Sequence, residues 1–384
     1  MSDPLPISPL ASALTPDPDA ISEQVVRTHS AMIIQAFRQR YEHQLTEFSA
    51  ELSTLIGSLN PNLDFETAWD PALGGLHYAI SENPNSFRSR AVAFALRLHE
   101  RGYAGEWRAP IKDSARFHFD RWPLPNGEQI QVETDGKQVR VKILGAGEHA
   151  NMTFQRKGEE WHSNSAPSPL PEAVSGGRRV RIWRRRELWT DEVRDLAVAV
   201  DDSEPQLLAD RCRDAMALLR EDAPIHYKWV ERVLRFVAPW RVVSDVRPSG
   251  SSSANLAPGL IGAGNHDHIV SLADSLVHEA SHHYFYVALR LGPVHDGSDT
   301  NLYFNPFLEL DRPIDRILLA YHAFSNVLTF CREAASHGHT TYLASRVPQL
   351  IRGLDIMEKS LTISKALTPN GCSLLEEVQR RIHD

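Results

Sequence analysis

Three cysteines in 384 residues are too few for a disulfide framework. Cys212, Cys331 and Cys372 are odd in number and share no short spacing, so they read as thiols in a reducing cytoplasm and not as a zinc knuckle. Apolar runs of membrane-span length are missing, and no membrane partner is expected. Met1 to Asp19 is rich in Pro, Ser and Asp and lacks the basic start and apolar stretch of a signal peptide. Positive charge is in deficit: 41 Lys and Arg face 49 Asp and Glu, for a net charge of −8. That balance argues against a general pull toward nucleic acid or anionic lipid. No internal repeat is visible, which removes the solenoid architectures. The remaining composition, 42% hydrophobic and 23% charged, is that of a globular chain long enough for two or three domains.

Texture divides the chain. Residues 1–20 read as a flexible lead. Apolar residues recur at helical spacing from Ile21 to Leu59, which predicts one or two amphipathic helices, and Ser86 to Arg101 reads as another, closed by Gly102. Near Glu106 the period changes to two. Gln129-Ile130-Gln131-Val132 and Val139-Arg140-Val141-Lys142-Ile143-Leu144 alternate, with turn chemistry at Asp135-Gly136. A Pro, Ser and Gly cluster at 163–177 predicts a long loop. Helices are expected at Ser203–Arg220, Pro224–Val237, Asp315–Ser336 and from Thr341 to Arg381. Trp240 to Val246 reads as a strand, Ser249–Ser253 as a flexible loop, and Gly259–Gly264 as an edge strand with its turn. The expected class is α+β. A helical N-terminal region (1–105) is followed by an antiparallel β module (106–190). A mainly helical catalytic domain (191–384) comes last, with a zincin-like helix beside a small sheet.

The chemistry concentrates at His278-Glu279-Ala280-Ser281-His282, an HExxH pattern. Positions i and i+4 of a helix lie on one face, so two imidazoles there can share a metal ion while the glutamate assists a bound water. The surroundings favour a buried helix: Leu276-Val277, Ala280, Tyr284-Phe285 and Val287-Ala288-Leu289 are apolar, and Gly292-Pro293 ends the run. Ser271-Leu272-Ala273-Asp274 has the form of a capping box.

A third ligand is needed, and the sequence leaves it open. Phe285 and Ala288 stand where a metzincin requires Gly and His, so that class is excluded. Glu309 and Glu333 are candidates of the downstream-glutamate kind. His322, among apolar neighbours, is either a ligand or a core histidine bonded to a backbone carbonyl or to Asn326. Arg312, in Asp311-Arg312-Pro313, can grip a carboxylate with its fork or pair with Asp311 or Asp315 on the surface.

The order of these pieces is familiar. Val277 to His282, then Tyr303-Phe304-Asn305-Pro306-Phe307, then Asp311-Arg312-Pro313, then His322-Ala323-Phe324 resembles the HExxH-type α-ketoglutarate-dependent peptide β-hydroxylases that modify ribosomally made peptides. The resemblance spans about 245–335. Many members have Pro-Trp-Arg where this chain has Pro306-Phe307-Leu308, and some carry a histidine where Leu319 stands. The resemblance implies Fe(II) held by His278, His282 and His322, with Glu279 as an alternative carboxylate ligand or orienting group. It also implies α-ketoglutarate anchored by Arg312, O2 as oxidant, and a precursor peptide hydroxylated at a side-chain β-carbon. Homodimerisation is left open.

Two rival readings use the same residues. A zinc metallopeptidase would take Glu279 as general base and a glutamate as third ligand. A binding module would use the run Arg178, Arg179, Arg181, Arg184, Arg185 and Arg186 with its tryptophans. Against the second, the alternation around Val180 and Ile182 is that of a strand face, and net charge is negative.

Overall fold

The structure, a computed structural model, describes residues 7–15, 18–81, 84–111, 117–145, 150–175, 178–182, 204–239, 251–264, 266 and 268–383. Helices predominate and two five-stranded sheets accompany them, so the class is α+β and mainly helical. Among the described residues no helix is long and apolar enough to cross a membrane.

Three helices fill the region read as one or two: α1 (Pro18–Arg40), α2 (Glu42–Phe48) and α3 (Ala50–Gly57). Ser49 separates the last pair. Its backbone is extended, and its hydroxyl accepts the Leu52 N–H, capping α3. Then come α4 (Phe65–Ala68), α5 (Pro71–Ser81) and α6 (Phe87–Glu100). Gly102, at φ +92°, turns the chain out of α6 as expected. The expected flexible lead is corrected at 7–15. Leu10 and Ala11 are fully buried there, because this segment lies against the second half of the chain.

The first sheet is antiparallel throughout. Its strands are β1 (Gly105–Pro110), β4 (Gln129–Thr134), β5 (Gln138–Leu144), β6 (Ala150–Lys157) and β7 (Glu160–His162), in that order, beside a hairpin of β2 (His118–Phe119) and β3 (Trp122–Pro123). The period-two reading was sound here: Val139, Val141 and Ile143 face the core with no exposure.

The second sheet is mixed. β8 (Glu172–Ser175), β9 (Arg178–Ile182), β10 (Phe236–Pro239), β11 (Ser251–Ser253) and β12 (Leu260–Ala263) pair in the order β11-β12-β10-β9-β8, with β10 parallel to both neighbours. Three expectations change here. Part of the 163–177 loop is strand β8. The helix expected to reach Val237 stops at Val233, and Phe236 starts a buried strand. Ser251–Ser253, read as flexible, is the edge strand of the sheet among the described residues. Trp240 to Val246, and Arg184 to Arg186 of the basic run, lie outside the described residues. The described part of that run serves the interior. Arg181 pairs with Glu100 at 3.1 Å and Asp120 at 2.6 Å, and Arg179 pairs with Glu160.

The rest is helical: α7 (Glu204–Asp222), α8 (Pro224–Val233), α9 (Ile269–Leu289), α10 (Ile314–Ala335), α11 (Thr340–Ile363) and α12 (Pro369–His383). A hairpin of β13 (Tyr303–Asn305) and β14 (Leu310–Arg312) links α9 to α10. Helix α9 carries the HExxH residues through the core. Leu276, Val277, Ala280 and Tyr284 have no exposure, and the Trp229 ring from α8 stacks on Tyr284 at 3.5 Å. Burying one such aliphatic side chain contributes about 1.5–3 kcal/mol.

Candidate metal centre

Helix α9 starts without the expected capping box. It begins at Ile269 after His268, which makes no side-chain cap bond. Ser271 instead contacts His266 Nδ1 at 3.1 Å, and Asp274 accepts from Arg346 at 2.7 and 3.2 Å and from the Tyr342 hydroxyl at 3.0 Å. Asp274 is thus an anchor one turn before His278, tying α9 to α11.

His278, Glu279 and His282 converge, with one potential ligand atom of each lying within 4.8 Å of the others. Neither imidazole makes a hydrogen bond among the described residues, and both Nδ1 atoms are buried without a partner. Burial holds the rings neutral: His278 is lowered to about 4, chiefly by desolvation, and His282 lies well below the ordinary value for the same reason. Neutral imidazole is the form that binds metal. Glu279 is pushed up to about 7 by burial, against the hydroxyl bonds that favour its charged form. Ser253 on β11 donates one of them, at 2.6 Å to Oε2. Two neutral imidazoles and a carboxylate at this spacing form a two-His, one-carboxylate donor set, which fits a divalent first-row metal.

The donors open on a cavity of about 540 Å³. Ser251 to Ser253 form one wall, Asn305, Leu308 and Arg312 from the hairpin another, and Arg316, Leu319, Ala320 and Phe324 from α10 a third. Tyr286, one turn beyond His282, completes it. Among the described residues Glu279 is the only carboxylate in this lining.

Arg312 lines this cavity. It is exposed and carries no ion pair among the described residues, so neither Asp311 nor Asp315 takes it. His322 is not brought into the donor cluster. It is fully buried, and its Nε2–H donates to the Leu10 carbonyl at 3.0 Å. Glu333 lies apart as well, bonded to His226 Nδ1 at 2.8 Å. Glu309 sits in the β13–β14 turn at φ +56° and is absent from the cavity wall.

No protein-family model matches the chain, and no curated protein matches it.

Reading the sequence alone missed four groups at the site. Ser253 was hidden in a serine run. Tyr286, between Phe285 and Val287, and Arg316, one residue after Asp315, were not singled out. The fourth is Arg346, whose guanidinium lies 5.7 Å from Phe324; Phe324 and Phe307, both already part of the resemblance, pack behind His278, with Phe324 4.5 Å from its ring and Phe307 stacked on Phe324 at 3.7 Å. The i−4 spacing of Asp274 from His278 was the available signal.

Proposed function

We propose that this chain is a non-haem iron, α-ketoglutarate-dependent oxygenase that hydroxylates a side-chain β-carbon of a ribosomally made precursor peptide. The observation that carries the reading is Arg312, an arginine without a carboxylate partner among the described residues, on the wall of the cavity that holds His278 and His282. Bound Fe(II) with α-ketoglutarate and O2 supplies the oxidant for C–H hydroxylation, with the keto acid ending as succinate and CO2.

The chain's own residues set the stage. His278 and His282 donate neutral nitrogens to the metal, and Glu279 serves as the third donor or orients a metal-bound group. Ser253 fixes the Glu279 carboxylate by its hydroxyl. Arg312 grips the distal carboxylate of the co-substrate with its fork. Leu308, Leu319 and Phe324 keep water from part of the wall. The peptide's reacting side chain enters between them.

The zinc peptidase reading has one observation in its favour. A glutamic acid pushed up to about 7 beside two metal-binding histidines has the basicity of a general base. That reading also needs a third protein ligand besides the base, and neither Glu309 nor Glu333 reaches the cavity. One titration separates the two. Apo-protein is loaded anaerobically with Fe(II) and titrated with α-ketoglutarate. The oxygenase gives a visible metal-to-ligand charge-transfer band that His282→Ala abolishes and Arg312→Ala weakens. Absence of the band, with zinc retained through purification, refutes the oxygenase and favours the peptidase.

A further inference from the structure

The cavity holds a second arginine that the proposed co-substrate does not need. Arg316, in the first turn of α10, lines the same wall as Arg312 on β14. Among the described residues its one ion-pair contact is with its sequence neighbour: Nε lies 3.7 Å from Asp315 Oδ2, with the two side chains 55% and 31% exposed. A contact that long and that wet contributes little. The fork of Arg316 is therefore available. It shares this lining with His282 and Tyr286.

Charge counting then limits the second ligand. Among the described residues, two guanidiniums face a lining in which the one carboxylate, Glu279, is held by Ser253 among the metal donors. α-Ketoglutarate chelating metal through its keto-acid end has one free carboxylate, and one fork grips one carboxylate. A peptide carboxylate seated on the Arg316 fork would give it a closer, charge-assisted partner than the long, wet contact with Asp315.

We propose that Arg316 reads an acidic side chain of the peptide substrate, holding a carboxylate distinct from the one at Arg312. This rests on the oxygenase reading above and narrows its substrate class to peptides with an aspartate or glutamate at or beside the modified position.

The test uses full-length protein loaded anaerobically with Fe(II). The probes are rhodamine-labelled, N-acetylated and C-amidated pentapeptide pools with either Asp or Asn fixed at the centre. Binding is followed by anisotropy with and without α-ketoglutarate. Separately, α-ketoglutarate affinity is measured through its charge-transfer band. The wild type is expected to bind the Asp pool about 10- to 100-fold more tightly than the Asn pool, the size of a lost charge-assisted bond. Arg316→Gln should erase that preference while keeping α-ketoglutarate affinity, and Arg312→Gln should do the reverse. Equal binding of the two pools by the wild type overturns the proposal. So does an Asp preference that survives in Arg316→Gln, or a loss of α-ketoglutarate confined to Arg316→Gln. If the wild type never binds α-ketoglutarate, the oxygenase reading fails. The Asp-against-Asn comparison made without it still decides the role of Arg316.

Discussion

His322 shows how one side chain divides the sequence from the structure. Its apolar setting gave two readings, ligand or core histidine, and spacing could not choose between them. The bond to the Leu10 carbonyl and its place outside the donor cluster give it a structural task in this fold. His278→Ala and His282→Ala should therefore lose metal, as read by metal analysis after gel filtration. His322→Ala should keep full metal stoichiometry and lose about 1–3 kcal/mol of stability, the range for an orphaned buried partner. Metal lost from His322→Ala at normal stability would restore it to the ligand set. Arg312 was legible because its neighbours formed a pattern; Arg316 was not, because an arginine in a first helical turn carries no signature. Desolvated neutral histidines away from the site, half-buried His29 and buried His99, give a pH prediction. Burial lowers His29 to about 3, helped by the Arg290 charge, and lowers His99 from its ordinary value. The unfolded chain takes up protons below about pH 6.5 that these rings refuse in the native state. Their contribution is full above that pH and is lost progressively as pH falls toward 3. Urea midpoints should drop from pH 7.5 to pH 5, and His29→Gln should flatten the drop. An unchanged slope in that variant would remove His29 from the account.

At the scale of elements, helices were legible and short buried strands were not. Helix α9 announced itself by a 3.6-residue period and by Gly292 beyond its end. β10 is four residues long and buried, so it has no alternation, and it read as the tail of the helix before it. β11 is three serines, and only pairing with β12 makes it a strand. That pairing matters because it carries Ser253 to Glu279. The β13–β14 hairpin depends on another close approach. A Cβ at Gly353 on α11 would lie 2.4 Å from the Phe307 ring, and Phe307 backs Phe324 and thereby His278. Gly353→Ala should cost about 1–3 kcal/mol through overpacking. It should also weaken metal binding by displacing the Phe307–Phe324 stack, seen as a raised dissociation constant in a chelator competition. Unaltered affinity at reduced stability would disconnect the stack from the metal site.

The molecule as a whole resists the division drawn from texture. Strands β8 and β9 belong by sequence to the 106–190 module, yet β9 pairs in parallel with β10, next to β12 and the serine wall of the cavity. Glu100 from the helical N-terminal region holds Arg181 of β9, and one continuous apolar core includes residues from all three regions. Residues 191–384 produced alone should therefore show no cooperative melt, and excision of 106–190 should abolish folding. A sharp thermal transition from the isolated C-terminal piece would show that the regions fold separately.

The bond between Leu10 and His322 spans 312 positions of the chain, and Ala13 N–H reaches Asn326 Oδ1 at 2.9 Å in the same strip. On a ribosome adding about 5–20 residues each second, the first segment made waits some tens of seconds for its partner helix to emerge. Until then its apolar side chains have no native seat. The emergence of α10, not the appearance of the HExxH helix, is thus the moment at which this strip gains its partner. Newly made chains halted before about residue 326 are the ones that chaperones should hold.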